Sequence, residues 1–215
     1  MSDVRVQTYN QALLEMASAS LAELARTGAG RAPRTQAQES HFLSLWLADS
    51  LKEKRFSRLV MEDLKGWVQQ ARTQGAGADL KGLLSRIVRH YSQAASEGLG
   101  ARLMALLDDC EQAGWQRITE YALDGKARLA SQGQASIVIC AAELASALAG
   151  DELVAPLTLY VRGDEQQLAR FAQCHGLLIG QGNKKQTRVK HHKGHLLMPA
   201  NALPALALLA QERRI

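Results

Sequence analysis

The stretch SIVICAAELASALAGDELVAPLTLYVRG, residues 136–163, decides the fold, because two periodicities meet in it. Ile137, Val138 and Ile139 form a short β-branched run, the composition of a strand. Residues 141–149 are rich in Ala and Leu and close at Gly150, which reads as a helix with its terminating glycine. Pro156 then precedes a segment in which Leu157, Leu159 and Val161 alternate with Thr158, Tyr160 and Arg162. That is the two-residue period of a strand with one buried face.

Upstream of it the pattern is helical. Leu13, Leu14, Ala17, Leu21, Leu24 and Ala25 make an apolar stripe over residues 4–26, which TGAGRAPR then breaks with Gly28 and Pro33. Thr35 and Gln38 have the spacing of a capping box and open a second helix, over 35–56. Phe42, Leu45, Trp46 and Asp49 are expected to share one face, widened by Leu43, Leu47 and Leu51. A third helix starts near Ser57 and turns Trp67 inward; others follow over 79–95, 99–113 and 116–131. Six helices with short connections make a bundle-like body.

Downstream, Asp164 caps a helix that ends at Gly176; LLIG is a strand, and TRVKHHKGHLLMP a long one. The simplest pairing of these two is a hairpin with GNKK at its tip. Asn201 is placed to cap a last helix, LPALALLA, with Pro204 in its first turn. The expected class is therefore α+β: a helical part, residues 1–132, followed by a small mixed-sheet βαβαββα part, residues 133–215, the two able to share one core.

Charge is distributed unevenly along the 215 residues. Residues 1–165 hold 18 basic and 20 acidic side chains, whereas residues 166–215 hold 8 basic and 1 acidic. The excess concentrates in GNKKQTRVKHHKGH, residues 182–195, with five Lys or Arg, three His and no carboxylate. A localised patch of one sign attracts polyanions. Lys184, Lys185, Arg188, Lys190, His191, His192, Lys193 and His195 are accordingly the candidate nucleic-acid-binding residues. In a strand, Arg188, Lys190 and His192 would share one face, and Val189, His191, Lys193 and His195 the other. The competing reading is a charged edge that keeps strands from pairing between molecules. No stacking aromatic lies in the segment.

Other chemistry has less behind it. His191, His192 and His195 with Cys174 and His175 are metal-ligand types, but their spacing matches no zinc finger. GQGNKK lacks the order of a phosphate-binding loop. Asp108, Asp109 and Glu111 on one helix do not converge, and Glu39 beside His41 has no nucleophile to serve. No cofactor is expected. Cys110, Cys140 and Cys174 form no CxxC pair and read as free thiols of a reducing, cytoplasmic setting. The N-terminus has no apolar signal segment and no window spans a membrane. The leading expectation is a non-enzymatic protein that binds DNA or RNA. The alternatives are a protein-interaction module, homodimeric in one version and using the last helix and an open strand edge, and a metal-dependent nuclease working through His192 or His195.

Three segments also carry a resemblance: AQESHFLSLWLADSLKEKRFSRLV, WVQQARTQGAGADL, and the stretch quoted first. Together they resemble a bacterial domain-of-unknown-function family, DUF2913. The resemblance covers about two-thirds of the chain and implies a bacterial, cytoplasmic protein. It supplies no catalytic residues.

Overall fold

The computed structural model describes residues 7–30, 32–123, 125–128, 133–185 and 187–211. Contacts gather into two compact units, Met1–Ser92 and Gln93–Ile215. The division falls well before residue 132, where the sequence pattern changes.

The first unit is four helices: α1 (Tyr9–Gly28), α2 (Gln36–Lys52), α3 (Met61–Gln74) and α4 (Leu80–Ser92). Capping boxes at Thr8/Gln11 and Thr35/Gln38 satisfy the otherwise unpaired amides that start α1 and α2. Leu13 and Met16 of α1, Leu43 and Leu47 of α2, Leu64 of α3, and Leu84 and Ile87 of α4 are completely buried. The inward face of α2 is Ser40, Leu43, Leu47 and Ser50, not the expected Phe42, Leu45 and Trp46. Ser50 is tolerated there because its hydroxyl donates to the Trp46 carbonyl. Leu45 is left 54% exposed, and Trp46 lies half-buried against Phe56, ring centroids 5.7 Å apart.

The second unit holds α5 (Leu99–Gln112), β1 (Gln116–Ile118), β2 (Ser136–Val138), α6 (Ala141–Ala147), β3 (Leu148–Ala149), β4 (Glu152–Leu153), β5 (Leu157–Arg162), α7 (Glu165–Cys174) and β6 (Lys193–Leu197). The main sheet runs β1-β2-β5-β6, with β1 and β2 parallel and the other neighbours antiparallel. Beside it, β3 and β4 form a small two-stranded ribbon. The α+β class read from the sequence is the class observed.

Alternation along β5 builds two cores. Leu157, Leu159 and Val161, with Ile137 of β2, pack under Leu103, Leu106 and Leu107 of α5 and Leu168 and Ala172 of α7. Tyr160, with Val138, faces a second cluster of Ile118, Leu123, Cys140 and Val189. Leu123, Cys140 and Val189 come to this second layer from loops, and Val189 sets the basic segment on the sheet.

Three expected elements form differently. Residues 116–131 were expected to be a helix; 116–118 are β1, and the described residues that follow are irregular. β1 is held by pairing with β2, Gln116 opposite Ser136 and Ile118 opposite Val138, a long-range contact that local propensity does not encode. LLIG and the long strand after it are reduced to β6 plus isolated bridges, among them Ile179 to Leu197 and Asn183 to Gly194. The hairpin therefore closes at Asn183 and Gly194, later than expected, and leaves a wide loop.

Asn201 caps no helix. Its side-chain oxygen accepts from the Leu178 amide and its nitrogen donates to the Ala95 and Gly176 carbonyls, so it satisfies buried backbone instead. The apolar tail after it is extended, with Leu203, Ala207, Leu208 and Leu209 buried and Ala207 bridged to Gly180. It does not form the amphipathic helix that one interaction reading invoked. Among the described residues no helix is long and apolar enough to cross a membrane.

Candidate nucleic-acid interface

The wide loop starts from a firm base. Asn183 and Gly194 exchange backbone hydrogen bonds of 2.9 and 3.0 Å, and the Asn183 side chain accepts from the Lys185 amide. Beyond this base the loop folds back onto the protein. Val189 is completely buried in the second core cluster. On either side of it the Ala127 amide donates to the Arg188 carbonyl at 2.8 Å, and the Lys190 amide to the Ala127 carbonyl at 2.9 Å. This short parallel bridge lays the segment GKAR, residues 125–128, alongside the loop.

A groove of about 460 Å³ opens between the two segments. Among the described residues its lining is Lys126, Ala127, Arg128, Lys184, Lys185, Thr187, Arg188, Lys190 and His191, with no carboxylate. Arg188 is paired with Glu143 of α6 at 3.0 Å. The other lining cations, Lys126, Arg128, Lys184, Lys185 and Lys190, are exposed and carry no ion pair among the described residues. Like charges gathered this way raise the local positive potential, since no described neighbour neutralises them. His191 takes a left-handed backbone, φ 68°, which a non-glycine residue adopts at some cost.

Of the remaining candidates from the sequence, His192 and His195 are buried and Lys193 is half-buried. His192 is 3% exposed. Its Nδ1 lies 3.0 Å from the Lys190 carbonyl, so Nδ1 carries the proton and donates; Nε2 then accepts from the Ser136 hydroxyl at 2.9 Å. Burial lowers the His192 pKa, the Lys190 carbonyl opposes the shift, and Arg162 and His191 add to it. His195 is completely buried; its Nδ1 donates to the Gly180 carbonyl at 3.0 Å, and Nε2 lies 3.2 Å from Glu165. Burial lowers its pKa too, against the Gly180 carbonyl and the Glu165 charge. Lys193 is neutralised by the other Glu165 oxygen at 2.6 Å. Gly182 roofs this cluster: a Cβ there would come within 2.5 Å of the Glu165 carboxylate and 2.6 Å of His195 Nε2.

The expected strand alternation thus stops at the turn. Val189 and His192 both face inward, because the left-handed His191 between them reverses the sides. Lys184, Lys185, Arg188, Lys190 and His191 come together at the groove, while His192, Lys193 and His195 anchor the loop. Sequence reading missed Lys126 and Arg128. The signal was present, a basic pair two residues apart, but it lay in a stretch read as helix.

The other candidates are occupied elsewhere. His175 pairs with Asp109 at 2.8 Å, Asp108 with Arg117, and Glu39 with Lys81. Among the described residues no three His, Cys, Asp or Glu side chains are gathered so as to hold a metal ion.

Fold and groove together define an α+β protein whose sheet carries a basic loop on one face. The chain belongs to the family described as "Protein of unknown function (DUF2913)", whose model matches residues 8–210. No curated protein and no solved structure matches it.

Proposed function

We propose that this protein is a non-enzymatic nucleic-acid-binding protein that holds phosphates in the groove between residues 126–128 and 184–191. One observation supports the reading above the others: the bridge from Ala127 to residues 188 and 190 brings two separate basic segments to one concavity. A charged edge that only blocks strand pairing needs neither a concavity nor a second segment. Lys and Arg side chains there would replace the counterions of a phosphate backbone, so contact would be phosphate-directed and weakly sequence-selective. The bacterial, cytoplasmic setting implied by the resemblance, and consistent with three free cysteines, belongs to the same proposal.

Salt titration tests it. Affinity for DNA or RNA, followed by fluorescence anisotropy, should fall steeply with salt. Replacing Lys184, Lys185, Arg188 and Lys190 together with Ala should flatten the slope of log K against log salt by about 3. Binding unchanged by those substitutions would remove the groove from the reading, and no binding at low salt would end it.

A further inference from the structure

The form of the groove narrows its ligand. Proteins that read a duplex in the major groove insert a helix or a two-stranded ribbon into it. The basic loop offers neither. Val189 is buried and tied to Ala127, so residues 188–190 lie against the body and do not project. The cations come from two segments joined by that bridge, Lys126 and Arg128 from one and Lys184, Lys185, Arg188 and Lys190 from the other. A duplex is stiff over about 50 nm and cannot curve into such a space. At about 460 Å³ the concavity is small-molecule sized, with room for a flexible strand to enter one or two nucleotides at a time.

We infer that the groove takes single-stranded nucleic acid, held through its phosphates by cations of both segments, and that Glu143 is the built-in carboxylate which the strand displaces from Arg188. The inference rests on the polyanion reading above. Ala127 and the methyl of Thr187 give the groove an apolar part for sugar or base, which a bare phosphate chain would leave unfilled. Among the described residues no Phe, Tyr or Trp lines it, so bases are not stacked and sequence matters little. The Glu143–Arg188 pair, 3.0 Å long with both side chains partly exposed, is of the kind that contributes little to stability and yields readily to a competing anion.

The test uses the full chain and fluorescein-labelled 12-mers at fixed salt. The expected result is that oligo-dT and oligo-dA bind within about threefold of each other while a 12-bp duplex binds at least about tenfold more weakly. Lys126→Ala with Arg128→Ala should weaken the single strand and lower its salt slope by about 1.4. Glu143→Gln should tighten it severalfold, with the circular dichroism spectrum unchanged. Duplex binding as tight as single-strand binding, yet lost in the Lys184, Lys185, Arg188 and Lys190 variant, would overturn this inference and leave the polyanion reading standing. Displacement of the oligonucleotide by inorganic polyphosphate at lower phosphate concentration would overturn it in favour of a bare phosphate chain. Absence of binding by any of these probes at low salt would remove both readings.

Discussion

Residues 184–191 present Lys184, Lys185, Arg188, Lys190 and His191 to solvent; in residues 192–195, next in the chain, His192 and His195 are buried and Lys193 is half-buried. The two parts of one basic run have different surroundings. In the first, the cations other than Arg188 carry no ion pair among the described residues. In the second, Lys193 is cancelled by Glu165, His192 is hydrogen-bonded at both ring nitrogens, and His195 Nδ1 donates to the Gly180 carbonyl. A run of charge in a sequence thus divides by burial into charge that can meet a partner and charge that holds the loop. Changes in the anchoring half should cost stability, and changes in the groove half should cost binding.

The largest effect expected is at the pivot between the halves. Val189→Asp would place an unpaired carboxylate among Ile118, Leu123, Val138, Cys140 and Tyr160. Burial of an uncompensated charge of this kind costs about 4 kcal/mol or more. Hydrogen exchange should show the Ala127 and Lys190 amides, which form the bridge, losing protection first. If both stay protected, Val189 is not what holds the loop.

A smaller loss should follow removal of one hydrogen bond from the anchor. Ser136→Ala leaves the His192 Nε2 lone pair buried without its donor, a cost of about 1–3 kcal/mol. Urea unfolding measures it. A loss below about 0.5 kcal/mol would mean that His192 is held by the Lys190 carbonyl alone.

How much of this could be read beforehand depends on the range of the contacts. Helices α1 to α5, the Thr35–Gln38 box, the Asp164 cap and the alternation of β5 rest on residues within a turn or a strand of one another, and the sequence displays them. β1 was read as helix because its partner lies twenty residues on, Gln116 opposite Ser136. The tail LPALALLA is apolar on every side, and a buried extended run and a buried helix look alike in such a pattern. The groove needed both kinds of information. Its Lys184–Lys190 part is visible as composition, whereas its Lys126–Arg128 part exists only because Ala127 pairs with residues sixty positions away.

Acid should weaken the anchor before it touches the carboxylates. His192 and His195 both have folded pKa values below the ordinary 6.5, with burial the main cause. The unfolded chain therefore binds protons more readily than the folded one. The stability these groups contribute is fully present above pH about 6.5 and is lost as pH falls toward their folded values. Arg162 and His191 near His192, and Glu165 and Lys193 near His195, set the size of the loss. The urea midpoint should be lower at pH 5.5 than at pH 7.5, and His192→Gln should reduce that difference. An equal midpoint at both pH values would place the two histidines outside the folding linkage.

The smallest expected change in stability is the one that separates the halves most cleanly. Lys184→Ala, Lys185→Ala and Lys190→Ala remove three exposed side chains that make no ion pair among the described residues. Surface changes of this kind stay within about 0.5 kcal/mol. Relief of repulsion among the like charges of the groove should, if anything, raise stability slightly, and more so at low salt, where screening is weakest. The Lys190 backbone amide keeps its bond to Ala127 whatever the side chain, so the bridge survives the substitution. A midpoint unchanged or slightly raised, alongside a loss of oligonucleotide binding, is the outcome that a groove of unspent charge requires. A clear fall in stability would mean that these lysines belong with Lys193 and His195 in holding the loop in place.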